Sequence, residues 1–205
     1  GIFSHNRPGA KAFLRQIKNE FETNDILKAL YPDVLWSDPK AEAPKWSEDE
    51  GIVVRRKSNQ KESTVEAWGL VDGMPTGKHF GVMVYDDVVT EGSVNTPDMM
   101  AKTTRQLELS YSLGAEDGVK RFIGTRYHFN DSYRTVLERG TAKARLYDGT
   151  DANCGDIKRP VLWTKELMAQ KRRDMGIYTF ACQVLQNPKA DAAHGFKREW
   201  LQYWE

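Results

Sequence analysis

The sequence predicts an α/β protein with a parallel-rich sheet flanked by helices. An apolar run, Phe80–Tyr85, ends in two carboxylates, Asp86 and Asp87. The run lacks the polar alternation of a half-exposed strand, which is typical of a strand covered on both faces in a parallel sheet. A helix and a second strand at 119–123 follow, in the order of a βαβ unit. Ligands of such sheets lie beyond the carboxyl ends of the strands, where we expect Asp86, Asp87 and Thr125.

The elements before the carboxylate strand are short and separated by turns. Apolar residues at helical spacing, together with Pro- and Asp-rich breaks, mark their limits. In chain order we expect a strand end at 1–4, a helix with the apolar stripe Phe13, Leu14, Ile17 and Phe21, a surface excursion over 31–51 held by Trp36 and Trp46, and short strands at 52–54 and 64–70.

The helix after the carboxylate strand has the clearest end signals. Thr96 is the expected N-cap, Pro97 opens the first turn, Asp98 favours the positive end of the helix dipole, and Gly114 lies just past the end. Beyond it we expect a helix at 131–138, a strand at 143–147, helices at 164–173 and 177–185, and a linker at 189–205 with the aromatic residues Phe196, Trp200, Tyr203 and Trp204.

Composition excludes several classes of protein. The chain has 205 residues, 40% hydrophobic content and a net charge of +1, so binding to nucleic acid depends on a local basic patch, for which 55–57 and 171–173 are the candidates. We expect no membrane association, because no run is apolar enough to span a bilayer. Cys154 and Cys182 have no metal-binding spacing, which favours a reducing, cytoplasmic setting over a disulfide framework.

The loop at 73–79 imitates a phosphate-binding loop but is not one. Its glycines, Gly73 and Gly77, are one residue too close together, and His79 stands where a magnesium-binding Ser or Thr is needed. The loop also opens a strand, whereas a phosphate loop opens a helix.

The paired acids have two interpretations. Adjacent carboxylates are commonly a helix cap or a solvated turn. At the end of a buried strand they also match the Walker B pattern, in which Asp86 holds Mg²⁺ and Asp87 orients and deprotonates the attacking water. Thr125 is either a turn residue or a hydroxyl that senses a terminal phosphate. The histidines have no metal-ligand spacing, so a zinc or di-iron site is not expected.

Several motifs, in order along nearly the whole chain, resemble the large terminase subunit of tailed bacteriophages. The most distinctive are the Gly-Thr-Arg-aromatic-His string and the segment from Gln-x-x-x-Asn-Pro to Phe-Lys-x-Glu-Trp. The matching stretches are Thr64–Gly69, Thr76–Lys78, Val84–Asp87, Ile123–His128, Phe180–Gln183 and Phe196–Trp200.

The resemblance implies an ASCE-type P-loop NTPase that uses ATP and Mg²⁺ to pump viral DNA into a capsid. It implies that Asp86 is the magnesium-side Walker B carboxylate and Asp87 the water-activating acid, although many relatives carry the longer glutamate at that position. It also implies that Gly124, Thr125 and Arg126 couple hydrolysis to movement. Lys78 is the candidate basic residue presented to a neighbouring subunit's nucleotide.

The resemblance further implies that the fold is incomplete at its N-terminal side. The phosphate-binding loop is expected before Ile2 and the nuclease after Glu205, so that 1–188 is a partial motor domain and 189–205 the linker toward the nuclease. We therefore expect the chain alone to bind ATP weakly or not at all, and to be inactive. The implied partners are double-stranded DNA, the portal protein, the small terminase subunit and further copies in a ring, in the host cytoplasm.

Two alternatives to an ATPase motor remain open. The first is a non-catalytic fragment that docks to DNA, portal or small subunit, and it predicts DNA retention that falls steeply with salt. The second is a metal-dependent nuclease that uses Asp86 and Asp87 as direct ligands, and it predicts DNA cleavage that is lost in Asp86→Asn.

Overall fold

The structure is a computed structural model and describes residues 1–151, 159–160 and 163–188. Short 3₁₀ turns at Gly92–Val94 and Tyr111–Leu113 flank the helix that joins the two strands of the βαβ unit. In chain order the elements are β1 (Ile2–Ser4), α1 (Arg7–Thr23), α2 (Asp25–Leu30), α3 (Pro39–Glu42), β2 (Trp46–Ser47), β3 (Gly51–Ile52), β4 (Ala67–Gly69), β5 (Phe80–Asp86), α4 (Pro97–Ser110), β6 (Gly114–Ile123), α5 (Ser132–Glu138), β7 (Thr150–Asp151), β8 (Arg159–Pro160), α6 (Lys165–Met175) and α7 (Ile177–Gln183).

The chain divides into two compact units. The first comprises Gly1–Val88 and Ala101–Gly124, and the second comprises Val89–Met100 and the chain from Thr125 onward. The first unit contains the parallel sheet, and the second contains α5, α6 and α7.

The sheet of the first unit has four strands in the order β4-β1-β5-β6, and every neighbouring pair is parallel. Ile2 lies opposite Ala67 on one side and Val84 on the other, and Asp86 lies opposite Ile123. The predicted α/β class and the βαβ unit β5-α4-β6 are therefore confirmed. β6 begins at Gly114, five residues before the predicted strand.

One helix packs on each face of the sheet, α1 on one and α4 on the other. On one face Ala67 packs in a buried cluster with Ala10 and Leu14 of α1 and with Ile52. Neighbouring residues of a strand point to opposite faces, so Trp68, Phe3 and Tyr85 belong to the other face. There Tyr85 stacks between Phe3 and Phe122, and its hydroxyl lies 2.8 Å from Ser110 Oγ at the end of α4.

Side-chain caps define where α1 and α4 begin. Asn6 Oδ1 accepts the Gly9 amide at 2.9 Å, and Thr96 Oγ1 accepts the Met99 amide at 3.2 Å. Each bond satisfies one of the unpaired amides at a helix N-terminus. The predicted Thr96 cap and the position of Pro97 are confirmed.

The segment around 31–51 is held by its tryptophans, as predicted. Trp36 Nε1 donates to the Val53 carbonyl at 2.8 Å, and Trp46 Nε1 donates to Glu22 Oε1 at 2.7 Å. The segment also contains α3, which no pattern predicted.

Two predictions about strands are wrong. The run in β5 is not covered on both faces, because the side chain of Val82 is 53% exposed. α1 packs on β4 and β1, so it leaves Val82 of β5 uncovered. The predicted strand at 143–147 does not form: these residues pair with no strand of the described chain, and Leu146 and Tyr147 are exposed. Cys154 and the predicted linker at 189–205 lie outside the described residues.

None of the helices in the described ranges combines the length and the apolar character that a bilayer-spanning segment requires.

Candidate active site

Three neighbouring strands of the first unit end at one edge of the sheet. β1, β5 and β6 are adjacent and parallel, and their last residues are Ser4, Asp86 and Ile123. Because parallel strands share the direction of their carboxyl ends, the residues that follow them emerge at this same edge. These residues are His5, Asp87 and Gly124, so the structure brings the two predicted carboxylates and Gly124 to one edge.

Asp86 closes β5 in a half-buried position. Its pKa is raised, first by the loss of solvation and second by the charge of Asp87. Among the described residues neither carboxylate has an ion-pair partner. A pair of carboxylates without a protein cation is an arrangement that a hard divalent ion stabilises.

Asp87 follows in an unusual backbone conformation. Its φ is +46°, in the left-handed region, and its amide donates to the Ile123 carbonyl at 3.1 Å. Few residues other than glycine adopt this conformation, and aspartate is one that tolerates it. Such backbone strain persists where neighbouring contacts hold it, and it recurs at functional sites. The side chain of Asp87 is exposed to solvent.

His5 also lies at this edge, and no sequence pattern predicted it. Its Nδ1 lies 3.2 Å from the carbonyl oxygen of Val88, the residue after Asp87. The histidines have no metal-ligand spacing in the sequence, so no motif marked His5. The available signal was positional, because His5 follows the predicted strand at 1–4 as Asp87 follows β5.

The predicted coupling residues lie on both sides of the boundary between the units. Gly124 is exposed and belongs to the first unit, and Thr125 and Arg126 are half-buried residues of the second. Arg126 Nε lies 2.9 Å from Asp131 Oδ1, and its Nη2 donates to the Phe129 carbonyl at 3.1 Å. The guanidinium therefore closes the turn that leads into α5, where Asp131 is the N-cap.

The structure does not bring Lys78 to the carboxyl edge of the strands. Lys78 precedes β5, and Asp86 ends this seven-residue strand, which corresponds to about 20 Å of extended chain. Its Nζ lies 2.9 Å from Glu66 Oε1, and its ammonium also lies 5.8 Å from the centre of the Trp68 ring. Lys78 and Asp86 therefore lie at opposite ends of β5, and the action of Lys78 on a neighbour's nucleotide stays a prediction.

The edge offers two carboxylates for a metal ion. Within the parts of the chain that the structure describes, no group of three or more His, Cys, Asp or Glu side chains could hold a metal. Mg²⁺ takes six oxygen ligands and commonly uses one or two carboxylates with waters and phosphate oxygens. Two carboxylates are too few for an all-protein metal cage. Asp86 and Asp87 fit instead a Mg²⁺ ion whose remaining ligands are waters and phosphate oxygens.

No model of a known protein family matches the chain, and no curated protein matches it. The fold and this edge of the sheet define the class by themselves. The chain is an α/β protein with a parallel sheet and with an acidic pair at the carboxyl end of β5, one of the two central strands.

Proposed function

We propose that this chain is part of the ATP-hydrolysing motor of a phage terminase large subunit, which packages viral DNA into the capsid. The observation that carries the proposal is the pairing of β5 with β6, because it sets Asp86 and Asp87 beside Gly124 at one edge of a parallel sheet. This is the edge at which open α/β sheets bind ligands. The motif resemblance described above supplies the particular reaction.

The proposed chemistry is phosphoryl transfer from ATP to water. Asp86 holds Mg²⁺, through water, and Asp87 orients the attacking water and accepts its proton. Bound Mg²⁺ supplies neutralisation of charge on the phosphate oxygens. Thr125 senses the terminal phosphate, and Arg126 belongs to the segment that couples hydrolysis to movement. Burial and the charge of Asp87 raise the pKa of Asp86, and a bound cation would offset both effects.

A second candidate function, a non-catalytic fragment that docks to DNA, is favoured by one observation. Of the two basic clusters, Arg55 and Arg56 are bound locally: Arg55 Nη2 lies 3.3 Å from Glu42 Oε2, and Arg56 donates to the carbonyls of Glu62 and Gln60 at 2.8 Å. On α6, Arg172 and Arg173 are exposed and form no ion pair with the described residues. Unpaired cations are those available to phosphates.

A titration of the chain with Mn²⁺ tests whether the acidic pair binds a divalent ion. The readout is the NMR line broadening of backbone amides near the bound Mn²⁺. We expect broadening around Asp86, Asp87 and Gly124 that Asp86→Asn removes. Asp117→Asn is the matched control, since it likewise removes one carboxylate from a pair of adjacent acids of the first unit, Glu116 and Asp117. Broadening that survives Asp86→Asn, or that the control also removes, contradicts the proposed metal site.

Nucleotide binding and turnover test the motor function, and DNA cleavage tests the nuclease alternative. We expect the chain alone to bind ATP weakly in isothermal titration with Mg²⁺, and low-micromolar affinity would contradict the partial-motor interpretation. In the polypeptide encoded by the complete reading frame we expect ATP hydrolysis that Asp87→Asn abolishes. DNA cleavage by the chain with Mn²⁺, abolished by Asp86→Asn, would support the nuclease alternative.

A further inference from the structure

We propose that His5 is a positioning residue for Asp87: its imidazole holds the backbone after Asp87 so that the carboxylate keeps its place at the edge of the sheet. The inference rests on the proposed role of Asp87 as the water-activating acid. It adds a residue from a third strand to the candidate site.

The register of the sheet places His5 next to the segment that it holds. Phe3 of β1 lies opposite Tyr85 of β5. His5 is two residues beyond Phe3, and Asp87 is two residues beyond Tyr85. Both residues therefore leave the sheet at the same level of two neighbouring parallel strands, although they are 82 positions apart in sequence.

The hydrogen bond fixes the state of the imidazole. The Val88 carbonyl oxygen, 3.2 Å from His5 Nδ1, accepts hydrogen bonds and donates none, so Nδ1 carries the proton and donates it. Val88 itself is fully buried, so no water can replace the imidazole as the donor to this carbonyl. The bond thus ties the end of β1 to the chain directly after Asp87.

Asp87 is held from both sides. Its own amide donates to Ile123 of β6 at 3.1 Å, and the carbonyl of the next residue accepts from His5 at 3.2 Å. A left-handed φ of +46° is unfavourable for a residue with a Cβ and persists only while the surroundings hold it. Loss of the His5 bond releases one of these two restraints, and the backbone of Asp87 and Val88 can then rotate and move the carboxylate.

Substitutions of His5 by asparagine and glutamine test whether the hydrogen bond from Nδ1 to Val88 is the cause of the positioning. The Asn amide nitrogen reaches the position of imidazole Nδ1, whereas the Gln amide nitrogen reaches that of Nε2. We therefore expect His5→Asn to keep the bond to Val88, and His5→Gln and His5→Ala to lose it. His5→Gln is the matched control, since it keeps a polar side chain of similar size and remains informative where the alanine variant fails to fold.

The test measures each variant of the chain in two ways. The chemical shifts of the Asp87 backbone report its φ, and the Mn²⁺ titration reports the affinity of the acidic pair. For His5→Ala and His5→Gln we expect Asp87 shifts that leave the left-handed range and a roughly fivefold loss of Mn²⁺ affinity, the factor that one net hydrogen bond corresponds to. His5→Asn should match the wild type in both measurements.

The outcomes separate this inference from the proposed function. If Asp86→Asn leaves Mn²⁺ binding unchanged, the proposed function fails, and the Asp87 shifts still test the positioning by His5. If Asp86→Asn abolishes binding while His5→Ala and His5→Gln change neither measurement, the positioning role is overturned. It is also overturned if His5→Asn is as impaired as His5→Gln, because the Nδ1 bond is then not the cause.

Discussion

Lys78 Nζ lies 2.9 Å from Oε1 of Glu66, a carboxylate that is only 2% exposed. The same carboxylate accepts the Ser63 amide at 2.8 Å and Trp68 Nε1 at 3.0 Å. The loop before β5 is thereby tied to the strand β4 through a buried charge. This relationship assigns Lys78 a structural role in its own subunit, in addition to any role toward a neighbour.

Removal of the Lys78 ammonium should destabilise the fold. Lys78→Met leaves the buried Glu66 charge without its cation, and we expect a loss of roughly 3 kcal/mol in the free energy of unfolding, the usual cost of breaking a buried ion pair. Lys61→Met is the control, because Lys61 in the same region is exposed and its ammonium donates to a neutral group, the Gly77 carbonyl. Urea unfolding measures both. Equal stability of the two variants would contradict the structural role.

The left-handed backbone of Asp87 predicts an unusual order of substitutions. Alanine at this position meets the full steric penalty, so Asp87→Ala should cost roughly 1 kcal/mol of stability relative to Asp87→Gly. Asp117 in β6 provides the comparison, since a strand disfavours glycine and the order there should reverse. Thermal unfolding of the four variants decides the point, and the same order at both positions would refute it.

Stability should depend on pH through Asp86. Its pKa is raised, so the folded state holds the proton more tightly than the unfolded state, and stability falls as pH rises through this raised pKa. Asp86→Asn should therefore stabilise the chain at neutral pH, and it should have no such effect in acid, where Asp86 is protonated in both states. Urea unfolding of both proteins at the two pH values measures the difference.

Asp87→Asn should lower the pKa of Asp86 part of the way back to the ordinary value of an aspartate. The variant removes the smaller cause of the shift, the neighbouring charge, while the larger cause, lost solvation, remains. An NMR titration of Asp86 in both proteins measures the change. An unchanged Asp86 pKa in Asp87→Asn would show that the two carboxylates do not interact.

The ion pair of Arg126 predicts a structural cost for changes at this position, apart from its proposed role in coupling. Asp131 is buried, caps α5 and pairs with Arg126 at 2.9 Å, so Arg126→Met should destabilise the second unit by roughly 3 kcal/mol. Arg134→Met is the control: it removes the more exposed pair with Glu138 four residues on, whose expected contribution is about 0.5 kcal/mol or less. Similar losses in chemical unfolding would contradict the assignment.

DNA retention should depend on α6 and not on the other basic cluster. Arg172→Gln/Arg173→Gln and Arg55→Gln/Arg56→Gln remove the same charge, but only the first pair is free of partners among the described residues. We expect the α6 variant to weaken binding of duplex DNA and to reduce the slope of log K against log salt by roughly two. Fluorescence anisotropy across a salt series measures this, and equal losses in both variants would indicate a dependence on net charge alone.

Local patterns were sufficient for the helices with strong end signals. Thr96, Pro97 and Asp98 act within one turn of chain, so the start of α4 was predicted correctly. The predicted strand at 143–147 failed because a strand exists only with a pairing partner, and none lies beside it in the described chain. Val82 is apolar like a core residue, yet the position of α1 over β4 and β1 left it exposed.

The order of residues alone determined the parallel α/β class and the position of Asp86 and Asp87 at the end of β5, because periodicity and end signals are properties of neighbouring residues. Only the tertiary structure decided that His5 reaches Val88, that Glu66 binds Lys78, and that Arg126 pairs with Asp131. Two of these contacts join residues from separate elements, and the third depends on the turn conformation before α5. Strand register and burial, which no short segment specifies, select which polar groups meet.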